Sequence, residues 1–224
     1  MAKNISKLIH GNVNPYADLS LQRSDEHGWA STGSSFDEIF EKNKPRTIIE
    51  VGTWKGASAL NMAKLAAKNL ISEEELEIIC VDTFLGSWEH HTTMNTFNHP
   101  DLIDHDGSCF KIHGRPKIYE TFLSNVVRNN LTNVITPFPI DSVNGALCFK
   151  HWKVQADLIY IDAGHDYDSV KADFTLYKDL VKEGGSILID DWHHLPIRQA
   201  GKDVFGDRGV TDFHGKGLWK KSVN

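Results

Sequence analysis

The chain has 224 residues, enough for one domain with a substantial core, and its formal net charge is -6 at pH 7. The acidic balance argues against a nucleic-acid-binding protein that works through bulk electrostatics, although it is compatible with a local basic patch. No apolar run reaches the length of about 18 residues that indicates a membrane span. The first residues lack the apolar segment of a secretory signal.

Three widely spaced cysteines, Cys80, Cys109 and Cys148, form no C-x-x-C pair. We therefore predict neither a zinc site nor a redox centre from them. Cys80 belongs to an apolar run and is interpreted as a small core residue. The cysteine pattern favours a reducing compartment, and we expect a cytoplasmic protein.

Residues 1–45 predict an N-terminal arm followed by a short helix. Ser35 and Glu38 have the spacing of a capping box, which predicts that the helix opens at this point and runs through Glu41. Pro45 follows its end, because proline disfavours helical backbone in the residue before it.

Beyond residue 45, apolar strand patterns alternate with helical ones. The predicted strands are 47–51, 77–82, 134–140, 156–162 and 186–192, and the predicted helices are 57–69, 118–130, 143–149 and 167–182. Gly184 and Gly185 are interpreted as the end of the last of these helices. The tail predicts a short helix and one or two strands. Alternation of this kind predicts a single α/β domain over residues 1–224, with a Rossmann-like, doubly wound, mostly parallel sheet and helices on both of its faces.

Residues 83–116 interrupt this alternation with an irregular segment that contains five histidines. The segment is too long for a plain connection in a compact domain, so we predict an inserted, lid-like loop over a substrate. The histidine spacing matches no metal-ligand pattern. An ordinary polar insertion is the alternative.

The most informative stretch joins the first predicted strand to the next helix, over residues 47–58. Glu50 precedes a turn with the spacing Gly52-x-x-x-Gly56, and an alanine-rich helix follows. Glycines let the backbone approach a ligand, and the helix N-terminus offers free N–H groups. The nicotinamide fingerprint G-x-G-x-x-G is missing. Glu50 would repel a pyrophosphate, whereas it suits a ligand that carries an ammonium group.

These residues resemble motif I of the class I S-adenosylmethionine-dependent methyltransferases, E/D-x-G-x-G-x-G, with Trp54 at the position of the middle glycine. The resemblance extends from about residue 47 to residue 192 and implies the class I methyltransferase fold. The cofactor-binding residues that it implies are Glu50, Gly52, Thr53, Trp54, Gly56, Ser58, Asp82, Asp141 and Ser142. Asp82 would accept the ribose hydroxyls. Asp141 and Ser142 lie where this fold contacts the adenine, and a helix cap is their alternative role.

A second group of acids follows the last two predicted strands. Adjacent parallel strands lie about 4.8 Å apart, so Asp162 and Asp190 should converge. Converging carboxylates suit magnesium, calcium or manganese. The pattern resembles the metal-dependent O-methyltransferases of small molecules and sugars, which implies Asp162, Asp190 and Asp191 as ligands of a Mg²⁺ ion. We assign Asp162 and His165 as catalytic residues, His165 being the candidate general base.

His193 and His194 extend the same edge. Nothing in the sequence decides whether they contact the substrate or bind a metal such as zinc or iron.

The resemblance implies a methyltransferase that moves the methyl group of S-adenosylmethionine to a hydroxyl of a small molecule or sugar, assisted by Mg²⁺. We expect neither a nucleic acid nor a membrane as partner, and homo-oligomerisation stays open. The alternatives are a metal-free methyltransferase with His165 as base, a nicotinamide-dependent oxidoreductase, and a non-catalytic binding module on the same scaffold.

Overall fold

The computed structural model describes residues 4–29, 31–88, 111–112 and 115–223. Within these ranges the helices are α1 (Ile5–His10), α2 (Ser34–Asn43), α3 (Ala57–Lys68), α4 (Ile118–Arg128), α5 (Ser142–Trp152), α6 (Tyr167–Tyr177) and α7 (Leu195–Phe205). The strands are β1 (Thr47–Val51), β2 (Glu77–Asp82), β3 (Lys111–Ile112), β4 (Arg115–Pro116), β5 (Ile135–Pro139), β6 (Ala156–Ile161), β7 (Val181–Ile189), β8 (Val210–Phe213) and β9 (Lys216–Lys220).

Seven strands form one sheet in the order β5-β2-β1-β6-β7-β9-β8. The first five of these are parallel to one another, and β9 and β8 add an antiparallel hairpin beside β7. The predicted α/β fold with a mostly parallel sheet is confirmed. All five parallel strands therefore end at the same edge, called here the carboxyl edge.

Alternate residues of each central strand face opposite layers of helices. Ile48 and Ile78 belong to the core that α2, α3 and α4 cover. Ile49 and Ile79 belong to the core on the other face, which α5, α6 and α7 cover. Burial on both faces explains why the strands read as continuous apolar runs.

The helix predicted over 167–182 ends earlier, and the interpretation of Gly184 and Gly185 as its stop is wrong. A short 3-10 turn over Lys178–Leu180 follows α6, and the two glycines belong to β7. Val181 is buried and pairs with Ala156, and the register shifts immediately after that pair. A Cβ on Gly185 would lie 2.8 Å from the Asp157 carbonyl oxygen. The glycine thus permits a close approach between strands that no local pattern reveals.

The predicted capping box is also wrong, because α2 begins at Ser34 with Gly33 as its N-cap and no side-chain cap. The tail agrees with its prediction, since α7, β8 and β9 are one helix and two strands. Most of the predicted lid over 83–116 lies outside the described residues. At its end, β3 and β4 pair in the antiparallel direction.

None of the helices in the described ranges is both long and apolar enough to cross a membrane. The longest of them, α3, has 12 residues, whereas a spanning helix needs about 20.

Asp173 on α6 is a buried acid on which a stability test can be built. Burial raises its pKa from 3.8 to about 6, despite a hydrogen bond with Ser142 that acts in the opposite direction. The native state therefore keeps a proton that the unfolded chain has already lost between about pH 4 and 6. Stability should decrease as the pH rises through this range and stay lower above it.

We expect Asp173→Asn to raise the melting temperature at about pH 7.5 and to leave it nearly unchanged at about pH 4. The gain in unfolding free energy should reach at most about 3 kcal/mol, the equivalent of about two pKa units. Thermal unfolding at both pH values measures it, with the exposed Asp179→Asn as control. Equal destabilisation by Asp173→Asn at both pH values would contradict the account.

Candidate active site at the carboxyl edge

The turn after β1 approaches the chain after β6 more closely than any side chain would allow. Gly52 has φ of +85°, and a Cβ on it would lie 1.9 Å from the Asp162 carbonyl oxygen. Gly56 has φ of +90°, and a Cβ there would lie 2.9 Å from the Phe122 ring. Both predicted motif glycines are therefore required by the geometry. At Gly52 the predicted cofactor-binding turn is in direct contact with the backbone of Asp162, the predicted catalytic acid.

Asp82, at the end of β2, holds this turn from the neighbouring strand. Its Oδ2 accepts hydrogen bonds of 2.8 Å from the backbone N–H groups of both Thr53 and Trp54. Its Oδ1 accepts a bond of 2.7 Å from the Phe84 N–H. These bonds fix the Asp82 carboxylate beside the turn, at the end of the strand next to β1.

Glu50 lies on the inner side of the turn. Its side chain is completely buried, and it accepts hydrogen bonds from the hydroxyls of Thr53, at 2.9 Å, and Ser58. The Cys80 thiol lies 3.4 Å away. Burial raises the pKa of Glu50 to about 7, although these hydrogen bonds oppose the shift. Glu50 and Ser58, both predicted to contact the cofactor, thus fix the inside of the turn in this structure.

Asp141 and Ser142 begin α5 at the end of β5. The Asp141 carboxylate is the N-cap, and it accepts hydrogen bonds from the backbone and side-chain amides of Asn144, at 2.9 Å and 2.7 Å. These bonds lower the pKa of Asp141. The helix-cap alternative is therefore realised, and it leaves both residues at the same edge as Asp82.

An ion pair that was not predicted from the sequence attaches the N-terminal arm to the turn after β1. The Lys55 side chain is completely buried, and its Nζ lies 2.5 Å from Asp25 Oδ2. The Asn125 side-chain amide donates to the carbonyls of both Asp25 and Lys55, at 2.7 Å and 2.9 Å. Asp25 is 30 residues from Lys55 and 100 residues from Asn125 in the sequence. No local spacing could therefore have indicated these contacts.

The arm then passes over the start of α3. A Cβ on Gly28 would lie 2.8 Å from Ala57 Cβ, and the rings of Trp29 and Trp54 are 6.1 Å apart. The arm thus forms a wall beside the turn.

Asp162 and Asp190 converge as predicted, and they share a buried partner. The Tyr160 hydroxyl lies 2.8 Å from Asp190 Oδ2 and 3.2 Å from Asp162 Oδ2. Lys216 Nζ lies 2.5 Å from Asp190 Oδ1. Burial, together with repulsion from Asp190 and Asp191, raises the pKa of Asp162. Neither Tyr160 nor Lys216 was predicted as a site residue from the sequence.

Asp191 lies beside this buried group and pairs with His165. The distance from His165 Nε2 to Asp191 Oδ2 is 3.0 Å, and each side chain is about one third exposed, 36% and 31% respectively. The hydrogen bond from His165 lowers the pKa of Asp191. Such a pair orients the imidazole ring.

Two overlapping groups of possible metal donors occur within the described residues. One contains Asp162, His165 and Asp191, and the other contains Asp191, His193 and His194, with the donor atoms of each group within 4.8 Å of one another. Asp190 belongs to neither group. The structure therefore groups nitrogen with oxygen donors, which differs from the predicted set of three carboxylates.

A family model described as a methyltransferase domain matches residues 49–192, well over half of the chain. The chain belongs to the methyltransferase domain family. The sequence-based prediction of an S-adenosylmethionine-dependent methyltransferase is confirmed at the level of the family. Membership argues against the nicotinamide-dependent alternative.

Solved structures support the same fold for this methyltransferase domain. CalS11, a calicheamicin methyltransferase, superposes with a TM-score of 0.58 at 17% identity over 83% of this chain and 77% of its own. The O-methyltransferase from Bacillus cereus in complex with SAH superposes with a TM-score of 0.56 at 16% identity, over 100% of this chain and 93% of its own. The predicted class I methyltransferase fold is confirmed.

A curated relative is the uncharacterized protein R132 of Acanthamoeba polyphaga mimivirus, which is 29% identical over 154 residues. The match covers 68% of this chain and 54% of R132, so the matched part of the chain spans about half the length of that relative.

The arm contact gives a direct test of the buried ion pair. Asp25→Asn should leave the buried Lys55 ammonium without its carboxylate, and removal of one partner of a buried pair costs about 3–5 kcal/mol. Since Asp25 is partly exposed, with 24% of its side chain accessible, we expect the lower end of that range. Thermal unfolding measures the loss.

Hydrogen exchange of the arm should accelerate in the same variant. Glu26→Gln is the matched control, because its pair with Lys64 is 3.8 Å long and exposed on both sides. Equal stability of the wild type and Asp25→Asn would show that the ion pair does not attach the arm.

Proposed function

We propose that this chain is an S-adenosylmethionine-dependent O-methyltransferase that acts on a hydroxyl of a small molecule or sugar in the cytoplasm. Family membership supports methyl transfer, and the names of the structural neighbours suggest the acceptor class. CalS11 is described as a TDP-rhamnose 3′-O-methyltransferase. The B. cereus neighbour, which contains SAH, supports the cofactor. We expect neither nucleic acid nor membrane as partner, and the proposal requires no particular oligomeric state.

The cofactor would lie along the carboxyl edge, with its methionine part at the turn Gly52–Gly56. Asp82, beside this turn, is the candidate acceptor for the ribose hydroxyls, and Asp141 and Ser142 stay the candidates for the adenine. Glu50 and Ser58 would act indirectly, by keeping the turn in the shape that the cofactor needs.

The observation that carries the proposal is the position of the His165–Asp191 pair beside this turn. Gly52 abuts the backbone of Asp162, and His165 follows only three residues later. Methyl transfer is an in-line displacement, so catalysis consists mainly of positioning the acceptor and removing its proton. His165 would take that proton on its imidazole ring, and Asp191 would hold the ring and stabilise the imidazolium.

The predicted magnesium ligands do not fit this role well. Asp190 Oδ1 is bound by Lys216 and by the Asp191 N–H, and Oδ2 is bound by Tyr160. The two groups of possible metal donors each contain imidazole nitrogen as well as carboxylate oxygen. Mg²⁺ prefers oxygen ligands. We therefore favour the metal-free alternative with His165 as base.

S-adenosylhomocysteine should stabilise the wild type against heat. At about a hundred times its dissociation constant, a ligand adds about 2.7 kcal/mol, which corresponds to a rise of about 5–10 °C for a domain of this size. Asp82→Ala should abolish most of this shift, and the exposed Asp207→Ala should retain it. An unchanged shift in Asp82→Ala, or none in the wild type, would count against the cofactor assignment.

His165→Ala should lower kcat by about 10²–10⁴-fold, the usual contribution of a general base, while the affinity for S-adenosylhomocysteine stays the same. Release of S-adenosylhomocysteine over a panel of hydroxylated nucleotide sugars and phenols measures turnover. The exposed His151→Ala serves as control. Full activity of His165→Ala would remove His165 from the mechanism, and loss of wild-type activity in excess chelator would restore the metal-dependent alternative. Binding without turnover on every acceptor would favour the non-catalytic module.

A further inference from the structure

The antiparallel hairpin β8–β9 brings a lysine to the carboxyl edge. Gly217 of β9 pairs with Ile189, the last residue of β7, so Lys216 lies beside Asp190. Only 5% of Lys216 is exposed. A buried ammonium group is unfavourable unless it is paired, so its surroundings indicate what it does.

The Lys216 ammonium group is surrounded by a carboxylate, a hydroxyl and two aromatic rings. Its Nζ lies 2.5 Å from Asp190 Oδ1 and 3.3 Å from the Tyr160 hydroxyl. The same atom lies 5.5 Å from the centre of the Phe36 ring and 5.2 Å from that of the Tyr160 ring. A carboxylate and two aromatic rings together are a favourable environment for a desolvated cation.

Tyr160 connects Lys216 and Asp190 to Asp162, the acid that follows β6. Tyr160 bridges the two carboxylates, since its hydroxyl contacts Oδ2 of both Asp190 and Asp162. Lys216, Tyr160 and the two acids therefore form one connected, largely buried group. Acids that converge in this way need a cation or a proton among them.

We infer that Lys216 is the resident cation of this edge and takes the place that a divalent ion would otherwise have. It is a positioning residue, because it contacts Asp190 and Tyr160 rather than a substrate. By balancing these acids it keeps Asp162 and the adjoining Gly52 turn in place, and it leaves Asp191 to pair with His165. The inference rests on the proposed function of this edge as the methyl-transfer site.

The test is a titration with Mn²⁺ followed by electron paramagnetic resonance, with Mn²⁺ as a probe for ions that bind carboxylates. The wild type should bind Mn²⁺ weakly. Lys216→Met removes the cation and should tighten Mn²⁺ binding at least about tenfold, within the range that groups adjoining a metal usually contribute. Lys216→Arg should restore weak binding. Lys182→Met is the control and should behave as the wild type. It removes a lysine that pairs with Asp157, at 2.8 Å, outside this edge.

Two results would overturn the inference. One is tight, stoichiometric Mn²⁺ binding by the wild type that is lost in Asp190→Asn. This result can be obtained even if no Lys216 variant folds. The other is an unchanged affinity in Lys216→Met when the circular dichroism spectrum shows that the variant is folded. If Lys216→Met does not fold, Asp190→Asn with Lys216→Met removes both charges and should fold with weak Mn²⁺ binding. Tight Mn²⁺ binding by this double variant would also overturn the inference.

The thermal shift with S-adenosylhomocysteine, measured on the same samples, separates this inference from the proposed function. No shift in any variant would refute the cofactor assignment, whereas the Mn²⁺ titration would still decide the role of Lys216.

Discussion

Five parallel strands end at one edge of the sheet, and the acids there are buried or close to a second acid, so that each needs a hydrogen-bond donor or a cation. Asp82 is matched by backbone N–H groups of the turn and of Phe84, and Glu50 by hydroxyls from the turn and α3. Asp190 is matched by Lys216. These pairings do more than neutralise charge, because each also fixes the shape of the surface on which a ligand would lie.

The turn after β1 illustrates how one constraint produces the next. Gly52 must be glycine because the backbone of Asp162 occupies the space of its Cβ. This close approach sets the distance between the turn after β1 and the loop that carries His165. Lys55 then joins the same turn to the N-terminal arm. A substitution that changes the shape of the turn would therefore also displace the proposed cofactor site, the loop of the proposed base and the arm.

Local patterns were sufficient to predict the central strands and the helix after the turn, since each depends on neighbours in the sequence. The glycines of motif I were predicted from the family resemblance, although the partner that requires Gly52 is the distant Asp162. Local patterns failed where a distant partner decides. Gly184 and Gly185 have the pattern of a helix stop, yet Val181 pairs with Ala156 and draws them into a strand. The partner of Asp190 was missed because the register of an antiparallel hairpin places Lys216 beside it. Asp25 and Lys55 likewise meet only in the folded chain.

The most direct measurement is a crystal structure of the chain with S-adenosylhomocysteine. The account predicts the homocysteine part at the turn Gly52–Gly56 and a ribose hydroxyl within hydrogen-bond distance of Asp82. The sulfur should face the His165–Asp191 pair, with Lys216 still bound to Asp190. A ligand elsewhere, or a ribose that does not contact Asp82, would contradict it.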